Sequence, residues 1–374
     1  MNKKFYVLSL LFSILFIWIG NLLVSESQEA VPIGSHVVSA RVLEIVSRTE
    51  NTHITSGGVE FTNLFIIFSA LITSGEESGQ EVNAEFTSFG PTGLVGKEIE
   101  IGDRIVLLYS DFADTFLFMD YERINYIIIL GVALIALIIV LGKIKGVNSL
   151  IALAFTCMSI FFILIPAILS GRNVYVVALA VCVFSVLSTF SIVIGPSKKA
   201  AGAAAGCLGG ISLAAILMFS MDTVLNLTGL IDHETRSLFY FSTDTPLNIR
   251  AIVFAGVVIG SSGAIMDVAM SISSSLWEIS RADSKTNFAK LFKSGIEIGK
   301  DILGTMLNTL ILAYIGTSLS LLLLINAQTT SFIELFNTEM VIVELLRSMV
   351  GAFGMLLAVP LTAGVCGRLY TTYD

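Results

Sequence analysis

Charge is scarce in this sequence. Only 13% of its 374 residues are Asp, Glu, Lys or Arg, against roughly 25% in soluble domains. A soluble globular fold is excluded on that ground. Basic residues are scarcer than acidic ones, 21 against 29, for a formal net charge of −8. No basic cluster with interleaved aromatics offsets this, which excludes a nucleic-acid partner. Cysteines number four: Cys157, Cys182, Cys207 and Cys366. All lie in or at the edge of apolar segments, and none has ligand spacing. They read as small apolar residues, neither disulfides nor a metal site. The sequence also lacks a His/Glu metal motif, a nucleotide loop, and any serine or cysteine placed with a plausible base. It is therefore expected to be no enzyme and to need no cofactor.

Apolar residues are what it has in plenty. They make up 55% of the chain, with a mean hydropathy of +0.88. Runs near 20 residues recur, each long enough to cross a hydrocarbon core of about 30 Å. The expected fold is an all-α polytopic membrane bundle of about eight transmembrane helices, with a small extracellular β-barrel-like domain after the first. Lys3 and Lys4 precede an apolar run from Phe5 to Val24. That run exceeds a usual signal-peptide core and no A-x-A site follows, so an uncleaved helix over residues 1–24 is preferred. Further helices are predicted at about 124–141, 150–169, 174–194, 200–219, 251–272, 302–325 and 341–365, forming a membrane domain over 121–374.

Residues 25–120 differ in kind. Val37–Val46, Glu60–Thr73, Glu81–Thr87 and Arg104–Ser110 are short runs rich in β-branched and aromatic residues. Turn signals at Ser56-Gly57-Gly58, Ser74-Gly75, Ser78-Gly79, Gly90-Pro91 and Gly102-Asp103 separate them. The spacing predicts four to six strands in a small, OB-like barrel, a shape that brings no ligand with it. His36 and His53 sit here. A metal site is the sharper reading, and solvated surface histidines the preferred one.

Lysine and arginine set the orientation. Lys3, Lys4, Lys143, Lys145, Lys198, Lys199, Arg281, Lys285, Lys290, Lys293, Lys300 and Arg368 fall on one side. The short connections of the other side, with their helix edges, hold Arg172, Arg236, Arg250 and Arg347. The positive-inside rule makes the first side cytoplasmic. Both termini are then expected in the cytoplasm of a multi-pass cell-membrane protein, and residues 25–120 outside.

Two stripes carry the functional expectation. Gly256, Gly260, Gly263, Asp267, Ser271, Ser274 and Glu278 follow one another at steps of three or four, on one helical face. On the next helix Asp301, Thr305 and Asn308 repeat that spacing. A carboxylate within a membrane segment costs roughly 3 kcal/mol or more, so it faces a protein interior or a water path. Asp267 is the expected coupling carboxylate, with Thr305 and Asn308 donating hydrogen bonds across the helix pair. Burial disfavours the charged form of a carboxylate, which is what suits such a group to carry a proton. Glu344, Arg347, Gly351, Gly354 and Ala358 form a further stripe. There Glu344 and Arg347 can pair, either as a partly solvated ion pair or as a gate. Gly202, Gly206 and Gly210, like Gly256, Gly260, Gly263, Gly351 and Gly354, read as helix-packing positions. The outer stretch 220–250 holds Asp222, Asp232, His233, Glu234 and Asp244 but no specific site. At about 280–300, Phe288, Leu291, Phe292 and Ile296 alternate with lysines. This predicts an amphipathic helix lying along the cytoplasmic membrane surface.

SGAIMDVAMSISSSLWEI (262–279), LFKSGIEIGKDILGTMLNTLILAYIG (291–316) and FNTEMVIVELLRSMVGAFGMLLAVPLTA (336–363) resemble the YibE/F family of bacterial multi-spanning membrane proteins. The match is best over the C-terminal third. The β domain after the first helix is similar to the YibE-type member, which the resemblance pairs with a shorter YibF-type homologue. The resemblance implies membership and little chemistry. A more distant one is to half of an RND-type permease, which has an intramembrane aspartate after a glycine and then a cytoplasmic amphipathic helix. This sequence departs from it in having one aspartate where the drug pumps have two, two extra helices and a far smaller outer domain. Together these readings predict a transporter or permease for an unknown small molecule or ion, coupled to protons or another cation through Asp267. The alternative is a non-transporting accessory or sensory subunit that binds a partner through its outer β domain. The expected partners are the lipid bilayer and a second subunit, giving a homodimer or a heterodimer with a YibF-type homologue.

Overall fold

Four of the long apolar helices start at an Asn or Ser that satisfies an otherwise free backbone amide. In a computed structural model, residues 3–24, 37–54, 60–91, 97–110, 114–231, 233–241, 247–283, 286–327 and 336–371 are described, with Ser331 and Ile333. The helices are α1 (Lys3–Val24), α2 (Ile124–Ser159), α3 (Ile165–Leu169), α4 (Val174–Val193), α5 (Lys198–Val224), α6 (His233–Phe241), α7 (Ile249–Ala282), α8 (Phe288–Thr317), α9 (Leu319–Ala327) and α10 (Glu339–Thr371). The Asn173, Ser197, Asn248 and Asn287 side chains accept from the amides of Val176, Ala200, Ala251 and Lys290 at 3.3, 3.1, 3.1 and 2.9 Å. Each such cap contributes about 1 kcal/mol.

Seven helical stretches among the described residues are long and apolar enough to cross a membrane. One of them, Ile124–Leu169, is two arms. The break is at Lys143, with φ 49° and ψ −133°. A Cβ on Gly146 would abut the Ile138 carbonyl, although eight residues of unbroken helix put such atoms about 12 Å apart. The chain therefore folds back here, within a stretch where the sequence predicts two helices. The second arm runs through a π-helical turn at Ile160–Leu164 into α3.

The chain divides into two compact units, residues 29–137 and residues 1–28 with 138–374. In the first, β1 (Val37–Ile54), β2 (Glu60–Ile72), β3 (Glu81–Pro91), β4 (Arg104–Ser110) and β5 (Thr115–Tyr121) form a closed barrel in the order β1-β2-β3-β5-β4. β3 and β5 pair in parallel, and every other pair is antiparallel. Alternate residues point inward: Val38, Ala40 and Val42 on β1, and Leu64, Ile66, Phe68, Ala70 and Ile72 on β2. This is the period of two that a half-buried strand requires. Charges stay outside, where Arg48 pairs with Glu50 at 2.6 Å and Glu98 at 3.1 Å. β1 runs further than its apolar stretch, because its largely polar second half continues the pairing with β2. His36 lies outside the described residues, as does the His53 side chain.

In the second unit α5, α7 and α10 form the centre. Val257, Val258, Ile265, Ala269, Ile272, Ile211, Met218, Met355 and Ala358 are buried between them. α8 packs on α7 and α10, α4 on α5 and α7, and α1 on α4. The α1–α4 contact includes a Ser13–Ser188 hydroxyl pair at 3.1 Å and a Phe16–Phe184 stack at 4.2 Å.

The basic run is not a separate surface helix. Residues 288–300 are the first half of α8, continuous with its membrane-spanning part. Leu291, Gly295 and Gly299 are buried, and a Cβ on Gly295 would come within 2.7 Å of that of Ala363 on α10. The apolar side expected to meet lipid is covered by protein instead. The glycines interleaved with Phe292 and Ile296 let α10 approach that side. α8 also ends early, at Ser318, so the predicted helix 302–325 is divided between α8 and α9.

Candidate functional site

Depth along α7 follows from two contacts. α4 has 20 residues, about 30 Å of helix, which matches the hydrocarbon core. Near its start Tyr175 meets Phe254 of α7, ring centroids 4.9 Å apart. At the other end of the bundle the Ser273 hydroxyl donates to the Lys199 carbonyl, at 2.7 Å, where α5 begins. Residues 254–273 of α7 are therefore the stretch at membrane depth. Asp267 lies about 20 Å from the Phe254 level and about 9 Å from the Ser273 level. It is inside the apolar layer, in the half nearer Ser273.

The glycines fall into two groups. Gly202, Gly206 and Gly210 on α5 all face α10, as their four-residue spacing predicts. A Cβ on Gly206 would lie 2.7 Å from the Thr362 Cα, and one on Gly210 would lie 2.9 Å from the Ala358 Cβ and the Gly354 carbonyl. On α10, Gly354 meets Ala214 of α5 and Ile265 of α7, and Gly351 meets Leu310 of α8 and Ser261 of α7. Gly256 and Gly263 have nothing within 4 Å of a Cβ position, and Gly260 has only the Tyr314 hydroxyl at 3.7 Å. Among the described residues these three pack against no other helix. The periodicity placed them on one face, but that face points outward. Val257, Val258, Ser261, Ile265, Val268 and Ile272 form the inward one.

Asp267 shares the outward face and is exposed. It makes no hydrogen bond or ion pair among the described residues. The bonds expected from Thr305 and Asn308 are absent. The Thr305 hydroxyl donates to the Ile302 carbonyl of its own helix at 2.9 Å. Asn308 and Asp301 are exposed and make no hydrogen bond among the described residues. A hydroxyl on a helix satisfies itself on the preceding turn more cheaply than across a gap. The heights nevertheless agree. Gly260 lies beside Tyr314, and Leu276 comes within 3.1 Å of a Cβ on Gly295. Between those points the antiparallel register sets Asp267 level with Thr305 and Met306. Asp301 is about one turn nearer the Ser273 end.

Glu344 and Arg347 do pair, at 3.0 Å, with side chains 23% and 30% exposed. The Ser318 hydroxyl donates to Glu344 at 3.0 Å, which ties α10 to the break between α8 and α9. Arg347 Nε is buried without a partner among the described residues. Ser318 and Glu344 border two pockets, of about 190 and about 500 Å³, and Glu234 and Met340 line the larger. The pair is therefore partly solvated, at the opposite end of the bundle from Ser273.

Two polar clusters escaped sequence reading. Glu339, at the start of α10, accepts from the amides of Thr228 and Gly229, both at 2.6 Å, and from the Thr228 hydroxyl at 2.7 Å. The only sequence signal was a Thr-Gly turn, and Gly229 has φ +83°. At the other end Ser273 shares a hydrogen bond with Tyr370 at 2.8 Å, and Tyr370 lies edge-on to Trp277. Asp222 is buried beneath the Thr228 turn region, at the end of α5. Asp232 and Asp244 lie outside the described residues. Among the described residues no three His, Cys, Asp or Glu come together as metal ligands.

A family model described as YibE/F-like protein matches residues 130–372. Neither the curated proteins nor the solved structures contain a match to this chain.

Proposed function

The chain belongs to the YibE/F-like protein family, and from one unpaired carboxylate at membrane depth we propose that it is a permease with Asp267 as its coupling group. The observation that carries this reading is the setting of Asp267: about 9 Å inside the apolar layer, exposed on its helix, and without a bonding partner among the described residues. A carboxylate used only to cross-link helices would be hydrogen-bonded to a neighbour. One that must take up and release a proton or another cation needs a face open to its path. Glycines one and two turns away leave room for that path, and Asn308 and Thr305 put polar atoms at nearly the same height. The cargo in this reading is a small molecule or an ion. The excess of lysine and arginine at the Ser273 end makes that end cytoplasmic and puts residues 37–121 outside a bacterial cell.

The test compares Asp267→Asn with Asp267→Leu in a deletion strain, scored for growth or flux, membrane abundance and thermal stability. Asp267→Asn is expected to abolish function at unchanged abundance and stability. Full function in Asp267→Asn would overturn the coupling role and leave an accessory subunit, acting through its β-barrel, as the better reading.

A further inference from the structure

α7 has no large apolar side chain exposed anywhere along its length, whereas α1, α2, α4 and α5 all expose them, such as Leu11, Ile129, Val183 and Ile216. Those four helices present lipid with hydrocarbon. The open face of α7 presents glycine and Asp267 and, beyond the membrane, Glu278 and Arg281. On α5, on the first half of α8 and on α10, glycine marks a close helix contact: Gly202, Gly206, Gly210, Gly295, Gly299 and Gly354 all meet a neighbour. Bare glycines also occur on the adjoining α8, at Gly304 and Gly316, and on α2, at Gly131 and Gly142, but α2 surrounds its glycines with exposed apolar side chains such as Ile129, Leu130 and Leu141. A glycine face with a carboxylate at its centre is a poor lipid surface and a good helix-docking surface.

We propose that this face of α7, flanked by α8, is where a second copy of the chain docks within the membrane. Charge complementarity favours a second copy over an unrelated partner. Glu278 extends the α7 stripe, and Lys293 extends the α8 stripe through Glu297, Asp301, Gly304 and Asn308 at steps of four, four, three and four. Both are exposed, and neither makes a hydrogen bond or ion pair among the described residues. The Leu276–Gly295 contact puts the two at matching height. A two-fold axis along the membrane normal preserves height. It therefore sets Glu278 of one copy against Lys293 of the other. The same patch supplies both halves of each contact, as an isologous interface requires. The inference needs only that the bundle lies in a membrane, not that it transports.

The test is cross-linking in native membranes of the full chain carrying Cys157→Ala, which removes the exposed cysteine. With a bismaleimide, Gly263→Cys is expected to give a covalent dimer of this chain, at least tenfold more than Val183→Cys on the apolar face of α4. Gly263→Leu fills open space in the single chain, so it should keep the thermal stability of the folded monomer. By native mass spectrometry it should be monomeric where the unsubstituted chain is dimeric. The proposal is overturned if the unsubstituted chain is monomeric at several concentrations, if the two cysteine variants cross-link equally, or if Gly263→Cys links only to a different protein.

Discussion

At the scale of single residues, a methyl group separates the two uses of glycine in this bundle. A Cβ on Gly206 would sit within 2.7 Å of the Thr362 Cα, which is backbone and cannot rotate away. Overpacking of that kind costs about 1–3 kcal/mol, so Gly206→Ala is expected to lower the thermal midpoint clearly in detergent. A Cβ on Gly263 meets nothing within 4 Å among the described residues, and alanine gains up to about 1 kcal/mol over glycine in a helix interior. Gly263→Ala should therefore match or exceed the parent in the same melt. Equal losses in both variants, measured on the monomer, would mean that Gly263 is packed within the single chain. The spacing of small residues showed that both sets form stripes. It could not show which stripe is covered, since a period fixes a face relative to its own helix and says nothing of the neighbour.

Helices and strands were legible in sequence wherever one signal dominated. The apolar runs gave the membrane spans, and the alternation in residues 37–46 and 60–72 gave β1 and β2. β5 was not singled out, because TFLFMDY lies only a few residues before the next apolar run and merges with it. The run 288–300 was misplaced for a different reason. A basic amphipathic helix has the same pattern whether its apolar side meets lipid or another helix, and here α10 covers it. The Glu339 clamp was invisible because its partners are backbone amides. It also makes the clearest prediction about an element. Glu339→Ala leaves the amides of Thr228 and Gly229 without their acceptor. Hydrogen bonds to charged groups contribute about 1.5–3 kcal/mol each when shielded, and less at this largely exposed turn. Amide exchange at Thr228 and Gly229 should speed up by at least tenfold while the centre of α5 is unchanged. Unchanged exchange at the turn would show that Glu339 does not hold it.

For the whole molecule, contacts between distant parts of the chain fix which helix ends lie together. Tyr6 donates to Asn148 at 3.2 Å, and Ser273 joins Lys199 and Tyr370, at one end of the membrane bundle. Arg172 donates to the Leu23 carbonyl, and Glu339 holds the Thr228 turn, at the other. From the second arm of α2 onward, the spans therefore alternate in direction along the chain. Lys143, Lys145, Lys198, Lys199, Arg281, Lys290 and Lys293 gather at the first end, and Arg172, Arg236 and Arg250 at the second. If the lysine-rich end is cytoplasmic, a label that cannot cross membranes must distinguish the two. Glu77 lies in an exposed turn of the barrel and Lys293 on the exposed side of α8. In a Cys157→Ala background, where the remaining cysteines are buried, Glu77→Cys should react in intact cells. Lys293→Cys should react only after permeabilisation. The reverse pattern would invert the orientation, and Asp267 would then open towards the outside, so that any proton it carries would enter from the opposite side.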